Sequence, residues 1–175
     1  MKKLIGCILV LCVTAIYLIS CEKDDICAET TPTTPNMIVS FYYNDNRTSY
    51  NHVTNLQYYE VDNEQNIISV GTVDSTRVPL RVDANHTKWA FVFNQVVANG
   101  IDKRTDYVDF KYTVWQEFVS RACGYKTQFL LDQDNPRGSN PVVTDGDGKG
   151  RWIQGIEIVR DSITDENEAH VKVYF

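Results

Sequence analysis

Basic runs are missing from this chain. Acidic residues outnumber Lys and Arg by 23 to 17, and no cluster of basic side chains offsets them. Charge therefore argues against nucleic acid and anionic lipid headgroups as partners. Histidine is scarce: His52, His86 and His170 are the whole set. They show no ligand spacing with each other or with the cysteines, so neither a metal nor another cofactor is expected. There is no nucleophile elbow, no phosphate-cradling glycine pattern and no pair of histidines, and the chain is read as non-enzymatic. Amphipathic helical periodicity and internal repeats are also absent, which excludes helical bundles and solenoids.

What is present begins at the first residues. Lys2 and Lys3 precede an apolar run from Leu4 to Ile19, the pattern of a secretory signal. A membrane span needs about 20 consecutive apolar residues, and this run is shorter. It is followed by Glu22, Lys23, Asp24 and Asp25, not by the positive flank of an anchor left facing the cytoplasm. Leu18-Ile19-Ser20-Cys21 resembles the lipobox of bacterial lipoproteins. That resemblance implies a mature chain starting at Cys21, its thiol bonded to diacylglycerol. Each buried CH₂ contributes about 0.8 kcal/mol and one chain alone binds marginally, so the two or three chains implied would anchor the protein for good. The expected organisation is a signal peptide over 1–20, a lipidated tether over 21–36 and a folded domain over 37–175.

Removing the first 20 of 175 residues leaves 155, enough for one domain with its own core. Cys7 and Cys12 leave with the signal and Cys21 takes lipid, so Cys27 and Cys123 remain. In an oxidising envelope compartment a disulfide between them is expected, with two free buried thiols as the alternative. The tether carries Thr30-Thr31-Pro32-Thr33-Thr34-Pro35, and prolines at this density favour extended backbone.

From Asn36 onward the pattern is strands. Met37 to Tyr43 alternates, Asn55 to Val61 and Ile67 to Val73 flank a turn at Asp62-Asn63-Glu64, and Val78 to Val82 holds Pro79 and belongs at an edge. Trp89 to Val97 is apolar on both faces, as a central strand would be. Tyr107 to Trp115, Gly124 to Leu131, Trp152 to Arg160 and Ala169 to Phe175 follow, with a polar loop from Asp132 to Gly150. Eight or nine such strands predict an all-β antiparallel sandwich, immunoglobulin-like in type. The alternation of Val171, Val173 and Phe175 places His170 on the outward phase of the last strand.

Several motifs carry a functional and a plainer reading. Asp145-Gly146-Asp147-Gly148-Lys149-Gly150 looks like a calcium loop, but one register puts Lys149 and Ile156 where oxygen ligands are required, and the other starts on Val143. A solvated hairpin loop is the better reading. Asp132 and Asp134 are loop carboxylates before they are a glycosidase pair. Trp115, Trp152 and the tyrosines could line a sugar-binding face, or simply pack between strands. Asp74-Ser75-Thr76 and Asp161-Ser162-Ile163 fit an envelope O-glycosylation pattern, which makes Ser75 and Ser162 possible acceptors.

Cys21-Glu22-Lys23-Asp24-Asp25-Ile26-Cys27, the Thr-Pro tether, Ser120-Arg121-Ala122-Cys123-Gly124-Tyr125 and the ending Ala169-His170-Val171-Lys172-Val173 resemble a family of small Bacteroidota lipoproteins of unknown function. The resemblance implies an envelope lipoprotein with a β-sandwich, held at the outer membrane. Lys23-Asp24-Asp25 also resembles a surface-export signal of that phylum, while the periplasmic side stays open. The leading functional expectation is a lipid-anchored module that binds an envelope protein or scaffolds an assembly, and the alternative is a carbohydrate-binding surface lipoprotein.

Overall fold

Eleven strands make up nearly all the regular structure of the computed structural model, which describes residues 26–31, 33–132 and 140–175. The segment expected to be a signal peptide, the expected lipidation site Cys21, and Asp134 lie outside the described residues. In chain order the strands are β1 (Met37–Tyr42), β2 (Val53–Glu60), β3 (Ile68–Val73), β4 (Ser75–Val78), β5 (His86–Val97), β6 (Gly100–Ser120), β7 (Gly124–Leu131), β8 (Val142–Asp145), β9 (Gly155–Ile158), β10 (Ser162–Ile163) and β11 (Val171–Tyr174). Among the described residues no helix is long and apolar enough to cross a membrane. The fold class is all-β, as the alternation predicts. Nine strands overlap the expected segments, β6 running well beyond Tyr107–Trp115 at both ends and β4 sharing only Val78 with its segment, and the two extra ones, β8 and β10, are short pairings inside segments read as turns.

The described residues fall into two compact units. The larger comprises Pro32–Glu117 and Lys126–Phe175 and contains the sandwich. One sheet has the order β4-β1-β11-β9, the other β10-β7-β6-β5-β2-β3, with β8 paired to β6. A single apolar cluster draws on both: Met37, Val39, Phe41, Val171 and Val173 from the first, Leu56, Phe91, Val108, Phe110 and Phe129 from the second. β5 lies between β2 and β6 with Trp89, Ala90, Phe91 and Val92 all buried, which is why its apolar run has no polar face.

Three details correct the sequence reading. The sandwich is not wholly antiparallel, because β1 and β11 run parallel with Val39 opposite Val171 and Phe41 opposite Val173. The two ends of the chain are far apart in sequence, so no tight turn forces them antiparallel. The edge strand near Pro79 is displaced: β4 covers Ser75–Val78 and stops one residue before the proline, which has no N–H to give a ladder. His170 is buried, not solvent-facing. It sits one residue before β11 starts, where alternation no longer fixes direction. Its Nδ1 accepts the Ile38 N–H at 2.9 Å.

The end of the Thr-Pro segment is part of the larger unit. Thr34 Oγ1 accepts the Thr127 N–H at 2.9 Å, and Asn36 donates from its backbone N and its Nδ2 to Glu166 Oε1, both at 2.8 Å. Arg77 Nε reaches the other Glu166 oxygen at 2.6 Å. Burial works against that carboxylate's charge, yet the Asn36 amides and Arg77 hold it below its usual range.

The smaller unit, Met1–Thr31 with Phe118–Tyr125, is described over 26–31 and 118–125. Cys27 is disulfide-bonded to Cys123, with Cα atoms 4.9 Å apart. The turn joining β6 to β7 is closed by the Cys123 N–H on Ser120 Oγ at 3.0 Å. Gly124 then takes φ of 71°, a left-handed conformation that suits glycine.

Candidate functional site

An open cleft of about 810 Å³ lies where the start of β5, the middle of β6 and the end of β7 meet. Pairing builds it. β5 and β6 bring His86 opposite Lys111 and Lys88 opposite Asp109, so His86, Asp109 and Lys111 line the same cleft. His86 Nδ1 lies 3.2 Å from Asp109 Oδ1. Leu130 and Leu131 come from β7, and Asp161 from the residue before β10. Tyr112 and Leu131 adjoin the cleft through their backbone while their side chains face the core, opposite to Lys111, Thr113 and Leu130. Tyr112 is fixed through its hydroxyl, which is 2.6 Å from Thr87 Oγ1 and donates to Arg81 O at 2.9 Å; burial raises its pKa.

One amide organises the rim. Asn140 Oδ1 accepts the Lys111 N–H at 2.8 Å, and Asn140 Nδ2 donates to Lys111 O at 3.0 Å and to Asp132 O at 2.6 Å. Asp132 N in turn donates to Lys111 O at 3.0 Å. Asp132, expected as a loop carboxylate, therefore lines the cleft beside Asp109 and Asp161. The cleft can present carboxylate acceptors, an ammonium, an imidazole and the Thr113 hydroxyl beside the exposed Leu130. That suits a polar, hydroxyl-rich ligand more than an apolar one.

A second constellation is sealed away from solvent. Asp106 on β6 is fully buried, with Oδ2 accepting the Ile153 N–H at 2.7 Å and Oδ1 having no partner among the described residues. Burial pushes its carboxyl up to about 6, the Ile153 and Trp152 amides and Arg151 opposing and Asp145 adding to the push. Nothing in the expected sites included it, although a signal was there. The phase that puts Val108, Phe110 and Tyr112 inside also puts position 106 inside, and starting the strand at Tyr107 hid this.

The Asp145–Gly150 loop turns its acids to backbone. Asp145 Oδ1 accepts the N–H groups of Asp147 at 3.1 Å and Gly148 at 2.8 Å, and its Oδ2 that of Gly150 at 2.8 Å. These bonds hold its carboxyl below the usual range. Asp147 Oδ2 accepts the Thr105 N–H at 3.0 Å, and Lys149 Nζ donates to Lys103 O at 2.7 Å. A Cβ on Gly146 would lie 2.9 Å from Thr105 O, so only glycine lets the loop dock this closely on β6.

The other expected positions are dispersed. Trp152 is core: it packs against Phe41, Phe93 and Phe175, and its indole N–H donates to Phe91 O at 3.2 Å. It cannot be part of an open sugar platform. Trp115 is 37% exposed. Ser75 is exposed on the edge strand β4, its hydroxyl 3.4 Å from Asp74 Oδ1, whereas Ser162 is half-buried in β10 opposite Leu130. Among the described residues, no three His, Cys, Asp or Glu side chains gather as a metal-ligand group.

No curated protein and no solved structure matches the chain. A family model does, over residues 55–175, from within β2 to the last residue. On that match the chain belongs to the family of unknown function DUF6452.

Proposed function

We propose that this protein is a lipid-anchored lipoprotein of the bacterial cell envelope, held at the outer membrane through Cys21, whose sandwich is a non-catalytic binding or scaffolding module. The observation that carries the reading is the disulfide between Cys27 and Cys123. It belongs to an oxidising compartment, and its first cysteine lies six residues after the one that ends the apolar leader. The non-catalytic part is supported by where the perturbed carboxylate sits: Asp106 is enclosed by the core and serves the Ile153 amide, out of reach of a substrate. Replacing Cys21 with Ser should abolish lipid attachment and signal removal at that site. Intact mass of the wild-type mature protein should show an acylated Cys21, and an unmodified N-terminus elsewhere would sink the anchor. Crosslinking in intact cells would then identify the partner.

The cleft favours one second reading, carbohydrate binding, because His86 from β5, Asp109, Lys111 and Thr113 from β6, and Asp132 and Asp161 from the adjoining segments line one cleft. Neutral oligosaccharides should then bind in a titration, and His86→Ala should weaken them. No heat or shift with any neutral glycan would remove this reading and leave the protein partner.

A further inference from the structure

We infer that the tip of the β6–β7 hairpin is a membrane-contacting foot, its Phe118 and Tyr125 rings seated among zwitterionic lipid headgroups. The inference rests on the proposal that Cys21 carries lipid. Phe118 and Tyr125 form an edge-to-face pair with ring centroids 5.3 Å apart. They are nevertheless 55% and 65% exposed, and Ile26 is 84% exposed. A paired aromatic contact normally serves to bury apolar surface, so two paired rings left in solvent, with an exposed isoleucine next to the disulfide of the same unit, call for an occupant.

Chain length says which occupant. Ile26 immediately precedes Cys27, which is bonded to Cys123, and Tyr125 follows two residues later. The disulfide thus fixes the chain leaving the hairpin tip toward Cys21. Five residues lie between Cys21 and Cys27, and the six residue-to-residue steps span at most about 22 Å when fully extended. With acyl chains on Cys21 inside the bilayer, the foot cannot leave the neighbourhood of the headgroups. Rings with a polar tip or edge are the side chains that settle at that depth. Charge selects the lipid: Glu22, Asp24 and Asp25 against Lys23 make the link acidic, which disfavours anionic headgroups.

The test uses the full mature protein with its native N-terminus, reconstituted in phosphatidylcholine–phosphatidylethanolamine vesicles with brominated acyl chains. Tyr125→Trp is the main probe and Phe118→Trp the second, each read above the wild-type tryptophan background, with a thermal melt confirming the fold. Bromine should quench the added fluorescence at both positions at least two-fold. Replacing a third of the lipid with phosphatidylglycerol should reduce that quenching. An acylated, folded protein whose new tryptophans are not quenched overturns the foot while leaving the anchor standing. An unacylated Cys21 in the intact mass overturns the anchor, and the foot with it. A blue shift that grows with protein concentration and ignores bromine would give the tip to a second copy of the chain, and also overturns the proposal.

Discussion

Two regions of the sandwich each bury one ionisable side chain, and they do so with opposite consequences. At the seam where β1 and β11 run parallel, His170 is fully enclosed. Nδ1 accepts the Ile38 N–H at 2.9 Å, so the ring is neutral, and its other nitrogen, Nε2, has no partner among the described residues. Where β6 meets the Trp152–Ile153 segment, Asp106 is enclosed in the same manner, with one oxygen on the Ile153 N–H and the other without a partner among the described residues. Burial disfavours the charged form in both places. It pushes the imidazole down to about 4, Arg160 helping and Asp165 and Glu166 opposing, and it pushes the carboxyl up to about 6. The same physical cause therefore makes one site acid-sensitive and the other base-sensitive.

The largest blow to either region is Trp152→Ala. The indole packs on Phe41, Phe93 and Phe175 and is tied to Phe91 O, and the adjacent Ile153 amide is the one Asp106 holds. Loss of such a core ring typically costs about 3–5 kcal/mol, so chemical denaturation should show a large fall in midpoint at neutral pH. A fall under about 1 kcal/mol would mean the segment is not seated as described.

His170→Ala breaks the other side of the comparison. It strands the Ile38 N–H and should cost about 1–3 kcal/mol at pH 7. It also removes the histidine's pH dependence. A group whose folded value lies below its unfolded one of 6.5 adds stability above 6.5 and loses it as pH falls toward 4. The variant should be less stable than wild type at pH 7, and the deficit should shrink on acidification. A deficit constant from pH 7 to 4 would show that the ring is not held neutral.

How much of this was legible follows from where each residue sits relative to strand phase. β7 is read to the residue because Gly124 and the polar Asp132 bound a stretch that closes on Phe129, Leu130 and Leu131. Trp152 and His170 lie just outside strands β9 and β11. Phase has no meaning there, and whether such a residue turns in or out is decided by the groups it meets. For His170 that group is the Ile38 amide, 132 positions away, which no local pattern reports. The cleft was hidden for the same reason: His86, Asp109, Asp132 and Asp161 belong to four separate segments joined only by pairing. Asp106 is the different case, legible in phase and missed through a strand boundary.

Asp106→Asn makes the smallest change at neutral pH and the sharpest one in slope. The amide keeps an oxygen for the Ile153 N–H and removes the buried charge, while its NH₂ inherits the orphaned position, so at pH 7 the two effects oppose. The net change should be within about 1 kcal/mol. The pH profile is where the variant differs. An acid whose folded value, about 6, exceeds its unfolded one near 3.8 adds stability that is fully present below 3.8 and lost as pH rises through 6. In the wild type this gain on acidification runs against the loss at His170 over the same window, and stability should be nearly flat from pH 6 to 4. With Asn at 106 the histidine's slope is no longer opposed there, and the depressed Glu166 carboxyl adds to it below about 4.5. Stability should then fall on going from pH 6 to 4 by up to about 1.4 kcal/mol per pH unit from the histidine, the limit for one proton. In His170→Ala the slope should have the opposite sign over the same range. Denaturation midpoints of the three proteins at pH 4, 5, 6 and 7 decide it. Parallel profiles would mean that neither buried group titrates differently in the folded chain, and the contrast between the two regions would fall.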